Sequence, residues 1–450
     1  MFITMKTNTT AMESANDMAP SIPKLVTERA NWLALDGLRG WAIIFVITIH
    51  LWAHCTREGS GIPITLQIGA ETVNLTWLFA TGHNAVIVFF VLSGFLLYRH
   101  WLERQGKIAF KAQCWSFAQS RARRILPGYL LYLVMYLLLV ALVGKHRYGA
   151  NMDSSNFLLN FFFLTPVANL SSHTPPLATT LDLMPGTWSL NAEMWFYAVM
   201  PLLALALGRI SGRWSGWLLL LTATAGPMSR HMMGEQPAWI LRYSVFGVFD
   251  AFIMGMAIAA LAAGYKPRAA WKVLFPLGVA YYFSICAGHL LHFADYAFQL
   301  ALASGLMILG LLSPTPSVWK SSLERPWIVN VGHWSYGLFL CNTTVAWYIV
   351  LPLSQAVKTV PGGQLLALNF AVGLPLMLLL ARTTYEVLEQ PLIRRVAPDW
   401  RQVRRRVGGL MLVYVAASLA LSAIAYHRNP EAEFQHRLVK VLATPYAKTH

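Results

Sequence analysis

Apolar residues in this chain come in long runs, not in the two-residue alternation of half-buried strands or the single stripes of surface helices. Eleven runs are long enough, or nearly so, to cross about 30 Å of hydrocarbon as helices. They fall at about residues 35–55, 84–101, 125–144, 189–208, 214–228, 241–263, 271–290, 295–313, 327–350, 365–382 and 408–426, the fifth being short. The pattern predicts an all-α, polytopic membrane protein with about 10–11 transmembrane helices. Residues 1–30 are polar and lack an apolar signal core, so they read as a cytoplasmic tail, with the first span as its own uncleaved signal. Residues 31–400 then form the membrane domain, and residues 401–450 a basic linker, an extra span and a C-terminal tail. The longest loop, from Lys145 to Thr187, contains the apolar stretch Phe157 to Leu164. That stretch is too short to span and is expected at the interface or folded back over the bundle.

Composition agrees: 56% of residues are hydrophobic and only 12% charged, which excludes a soluble domain with an ordinary charged surface. The net charge of +16 is mainly a topology signal. Arg99, Arg104, Lys107, Lys111, Arg121, Arg123 and Arg124 crowd the link between the second and third runs, whereas Arg57 stands alone between the first and second. The crowded link is expected to be cytoplasmic. The cations are spread over many short loops and form no basic domain, so nucleic acid is not implied. The run Arg401 to Arg406 is placed to touch anionic lipid headgroups. Cys55, Cys114, Cys286 and Cys341 show no CxxC spacing and imply neither a zinc site nor a disulfide framework, although the levels of Cys55 and Cys286 permit one bridge.

Ionisable residues inside the apolar runs are the candidate chemistry, because hydrocarbon makes them costly. Arg39 and His50 lie in the first run. Eleven positions make about three helical turns, so the two share a face roughly 16 Å apart along the axis. Asp36 and His54 extend the same stripe. Glu193 opens the fourth run, with Asp182 before it in the loop.

Six motifs then appear in order: Arg39-x10-His50, Phe89-Phe-Val-Leu-Ser-Gly-Phe95, Arg121-Ala-Arg-Arg124, Trp188-Ser-Leu-x-x-Glu193-x-x-Phe-Tyr197, Ser335-Tyr-Gly-Leu-Phe-Leu340 and Tyr385-x-x-x-Glu389-Gln-Pro391-x-x-Arg394. Each is weak alone, but the series resembles the membrane acyltransferase-3 family, bacterial O-acyltransferases that act on sugars and related hydroxyl acceptors. The resemblance implies a ten-helix core, so the run at 408–426 looks like an addition. It also implies the bacterial cytoplasmic membrane, in which the distribution of Lys and Arg puts the N-terminus inside. Members often carry a His where this chain has Asn342, and Asn cannot exchange a proton near neutral pH, so more weight falls on His50.

The residue types suit that chemistry. Transfer of an acyl group from a thioester to a sugar hydroxyl needs a base near the hydroxyl. On this reading His50 is that base, Arg39 holds the donor arm or its carbonyl or pairs with Asp36, and Glu193, at the same outer level of the membrane as His50, is expected to meet and support it directly or through one water. The donor the resemblance implies is acyl-CoA, in the first instance acetyl-CoA, with no permanently bound cofactor. Its phosphates would be gripped by the forked guanidinium groups of Arg121, Arg123 and Arg124. The acceptor would be a carbohydrate or glycosylated molecule. A secondary transporter or flippase is the rival class, but such proteins commonly show repeated halves and paired broken helices that this sequence lacks. A sensor or scaffold without activity would have no use for the buried polar stripe.

Overall fold

The computed structural model describes residues 22–55, 61–143, 154–165, 184, 186–208, 210, 212–232, 247–288, 293–357 and 360–428. Asp182, Arg57 and most of the long loop lie outside the described residues. The protein is a helical bundle, and among the described residues eleven principal helices correspond one for one to the eleven apolar runs. They are α1 (Ile22–Ala53), α2 (Ala85–Arg104), α3 (Phe110–Val143), α4 (Trp188–Leu207), α5 (Gly212–Met232), α6 (Phe249–Gly264), α7 (Leu274–Gly288), α8 (Phe293–Leu311), α9 (Pro326–Val345), α10 (Gly362–Thr384) and α11 (Gly409–Arg428). Among the described residues, eight helical segments are long and apolar enough to cross a membrane, and the helices at Phe249–Gly264 and Tyr296–Leu311 are apolar but shorter. The chain is a polytopic helical membrane protein.

Small residues decide which helices touch. In lipid no hydrophobic effect drives helices together, so close backbone approach and dispersion must do it. A Cβ on Gly94 would sit 2.1 Å from Phe252 O, and one on Gly255 2.1 Å from Val91 O, so α2 and α6 meet glycine to backbone. The same device joins α1 to α9: a Cβ on Gly332 would meet Asp36 O at 1.9 Å and one on Gly40 Ile328 O at 2.3 Å. Among the described residues, three helical segments relax into π-helical turns, at Ala346–Val350, Tyr385–Glu389 and Val403–Gly408. Such turns are rare and are frequent at functional sites.

The stretch between α1 and α2, read from sequence only as a loop, carries a β-hairpin. Thr65–Ile68 pairs antiparallel with Glu71–Asn74, and every strand residue is exposed. Gly69, at φ 64°, supplies the first residue of its two-residue turn. Of the long loop, Ser154–Phe161 is helical. Tyr129 Oη donates to Asn160 O at 3.0 Å, Trp195 Nε1 donates to Phe163 O at 2.9 Å, and Asn191 bonds Thr165. The apolar stretch thus folds back over the bundle, as its length suggests. All four cysteines are free thiols; Cys55 and Cys286 receive amide donors from Asn369 and Asn84.

Candidate active site

A cavity of about 470 Å³ lies inside the bundle, walled by α1, α2, α3, α4, α9 and the Tyr385 turn, within the size range of small-molecule sites. Its lining along α2 runs from Val86 to His100, about 21 Å of helix rise. Five of the ionisable residues picked out from the sequence converge on it. Asp36 and Arg39 enter from α1, Arg121 and Arg124 from α3, and Glu193 from α4.

Local geometry explains each placement. Asp36 and Arg39 are three residues apart, hence on one face, and Arg39 Nη1 bonds Asp36 Oδ1 at 3.3 Å. In the Arg-Ala-Arg-Arg segment the same three-residue spacing brings Arg121 and Arg124 to the cavity. Arg123 does not line it; two positions past Arg121, it projects from another side of the helix. On Glu193, Oε1 accepts from Ser93 Oγ at 2.8 Å and from Tyr197 Oη at 2.5 Å. Tyr197 lies four residues further along the same helix, and Ser93 comes from the Ser-Gly motif of α2, whose Gly94 makes the contact with α6. The carboxylate is therefore fixed by two hydroxyls.

His50 does not line this cavity, and no hydrogen bond joins it to Glu193. Gly82, one turn before Val86, already packs against Phe45 O and the Ile49 side chain, so His50 lies beyond the cavity's deep end on the same helix. One turn further on, His54 is buried, with Nδ1 lacking a hydrogen-bond partner and its ring edge-on to Trp347. Asn342 is 1% exposed; its Nδ2 donates to Leu338 O and Phe339 O of its own helix, and its Oδ1 has no partner.

Two ionisable cavity residues, His100 and His333, were not picked out from the sequence. His333 Nε2 lies 3.3 Å from Asp36 Oδ2, and its ring stacks on Tyr385 at 6.1 Å. It stands two residues before the Ser335-Tyr motif, which was its only sequence signal, and its partner is on another helix. Asp36 thus sits between Arg39 and His333. Tyr336, from the motif itself, donates to Ile125 O at 2.7 Å and underlies Arg124, whose guanidinium is 5.8 Å from the ring centroid. A second, apolar cavity of about 470 Å³ lies between α3 and α4 and shares Phe117, Arg121 and Tyr197 with the first.

A family model described as an acyltransferase domain, of the acyltransferase-3 type, matches residues 32–386. That span runs from the start of the α1 wall to the Tyr385 turn and takes in every cavity residue named above. The chain belongs to the acyltransferase-3 family. It is an acyltransferase enzyme, and its bundle makes it a multi-pass membrane acyltransferase. Among curated proteins none matches the chain. The acyltransferase-3 match ends before Glu389, the run at 401–406 and α11.

Proposed function

We propose that this acyltransferase moves a short acyl group, acetyl in the simplest case, from cytoplasmic acyl-CoA to a hydroxyl of a sugar in a polysaccharide, lipid-linked saccharide or glycosylated small molecule. The observation that carries the reading is the cavity itself. It has two guanidinium groups on one face of α3, a third on α1 and a carboxylate held by two hydroxyls, and it is long enough to extend about 21 Å into the bundle. The positive-inside pattern supports a cytoplasmic N-terminus and hence an arginine-lined end open to a soluble polyanion. On this reading Arg121 and Arg124 take the donor's phosphates through forked hydrogen bonds, and Arg39, already engaged by Asp36, steadies the thioester arm. Arg123 contributes charge at the surface.

The reaction then balances simply. The acceptor oxygen attacks the thioester carbonyl, its proton passes to the His50 imidazole, the C–S bond breaks, and the thiolate leaves as CoA. His50 lies beyond the deep end of the cavity, which fits a thioester threaded inward while its phosphates stay at the arginines. Glu193 acts along that path through its fixed carboxylate. The membrane would be the bacterial cytoplasmic membrane.

Purified protein given labelled acetyl-CoA and a panel of glycan acceptors tests this. Transfer should be lost in His50→Ala with the fold intact. Arg121→Ala and Arg124→Ala should raise the donor KM, with a weaker salt dependence than wild type because a screened charge has been removed. Full activity in His50→Ala would overturn the base assignment. Substrate uptake into liposomes that is indifferent to CoA, without any transfer, would overturn the donor reading.

A further inference from the structure

Glu389 ends the π-helical turn Tyr385–Glu389 and is 1% exposed. Neither carboxylate oxygen has a hydrogen-bond partner. Burying such a group is expensive unless something compensates it. The nearest compensation is Arg124, whose Nη1 lies 3.8 Å from Glu389 Oε2. That is an ion pair but too long for a hydrogen bond, since charge-assisted N–H···O contacts run at about 2.7–2.9 Å. α3 and α9 each bring a glycine against the carboxylate, where an ideal Cβ on Gly128 would lie 3.6 Å from Oε1 and one on Gly337 3.4 Å, both ordinary contact distances. Glu389 does not line the cavity, whereas Arg124 and Tyr336 do. It stands behind them.

We infer that Glu389 is a positioning residue for Arg124. It is a fixed counter-charge behind the cavity wall that draws the guanidinium inward without consuming its N–H donors, which stay available to an anionic ligand. Arg39 is the contrast, because Asp36 already takes one of its donors at 3.3 Å. The inference rests on the donor-binding reading of Arg124. It gives the Glu-Gln-Pro motif a task and predicts an unusual division of effects. Removing the negative charge leaves the cavity more positive, so bare affinity for a polyanion is kept or gained. What is lost is the direction of the guanidinium, and misplaced groups cost rate.

The test uses Glu389→Gln, Arg124→Ala and the double variant of the full chain, with CoA binding, acetyl-CoA turnover and thermal unfolding as readouts. Glu389→Gln should bind CoA at least as tightly as wild type, yet lose about tenfold or more in kcat. The double variant should be no slower than Arg124→Ala, because residues acting as a unit are non-additive. Arg124→Ala strands a buried carboxylate and should lower the melting temperature, and the added Glu389→Gln should restore part of that loss. Normal kcat in Glu389→Gln, multiplicative losses in the double variant, or no thermal rescue would each overturn the inference. If wild type neither binds CoA nor transfers, the donor reading fails, and the thermal rescue still decides whether Glu389 answers to Arg124. Should Glu389→Gln fail to fold, Glu389→Asp keeps the charge but withdraws it, and an unchanged donor KM-to-kcat balance there would count against the inference.

Discussion

Glu193 owes its direction to the Ser93 and Tyr197 hydroxyls, and each of these hydrogen bonds to a carboxylate is worth about 1.5–3 kcal/mol. Tyr197→Phe and Ser93→Ala should therefore each lower kcat by about tenfold or more while changing the donor KM little, measured by steady-state transfer of label. Equal increases in KM without loss of kcat would place Glu193 in donor binding. The residues that sequence reasoning found are those with a short-range partner or spacing. Asp36 with Arg39, and Arg121 with Arg124, are three apart, and a helix turns that interval directly into a shared face. The Arg-Ala-Arg-Arg segment was legible as a cluster, but only helix phase separates Arg123 from its neighbours. His333 was not legible, because its significance comes from Asp36, a residue of a different helix. A meeting of His50 with Glu193, directly or through one water, was expected from their levels in the membrane; no hydrogen bond joins the two, and Glu193 Oε1 is taken up by two hydroxyls.

At the scale of elements, long apolar runs made the helices easy to read, since every backbone polar group in lipid has to be satisfied within its own segment. The hairpin was harder to see. Its Leu66, Ile68 and Val73 lie in a short exposed alternation around Gly69-Ala70, a weak signal beside the spans that flank it. What the periodicity does not disclose is which helices touch, and here glycine decides. Gly332→Ala would set a methyl group 1.9 Å from Asp36 O and force α1 and α9 apart. It should cost about 1–3 kcal/mol, the usual range for overpacking, and lower the melting temperature in detergent. Because the same contact sets the Asp36–His333 distance, transfer activity should fall with it. A stable, fully active Gly332→Ala enzyme would show that the two helices can part without consequence.

At the scale of the whole molecule, α11 is more than an appendage. Tyr414 and Ser418 are buried as α11 packs on α3 and on Leu351–Ala356, while Leu412 and Val413 are left exposed on the remaining faces. The family resemblance marked this helix as additional, and nothing in its composition revealed that it braces a core helix. The two sides of the cavity are mechanically unlike. α1 and α9 are locked backbone to backbone through Gly40 and Gly332, whereas α3 and α4 are parted by a second, apolar cavity and share only a thin partition of Phe117, Arg121 and Tyr197. The first pair is therefore expected to act as a stator, with any widening that admits a bulky substrate falling to the second, and a chemical bridge between Ala122→Cys and Ala198→Cys, both on that apolar cavity, should arrest turnover, whereas a bridge across α1 and α9 should be tolerated.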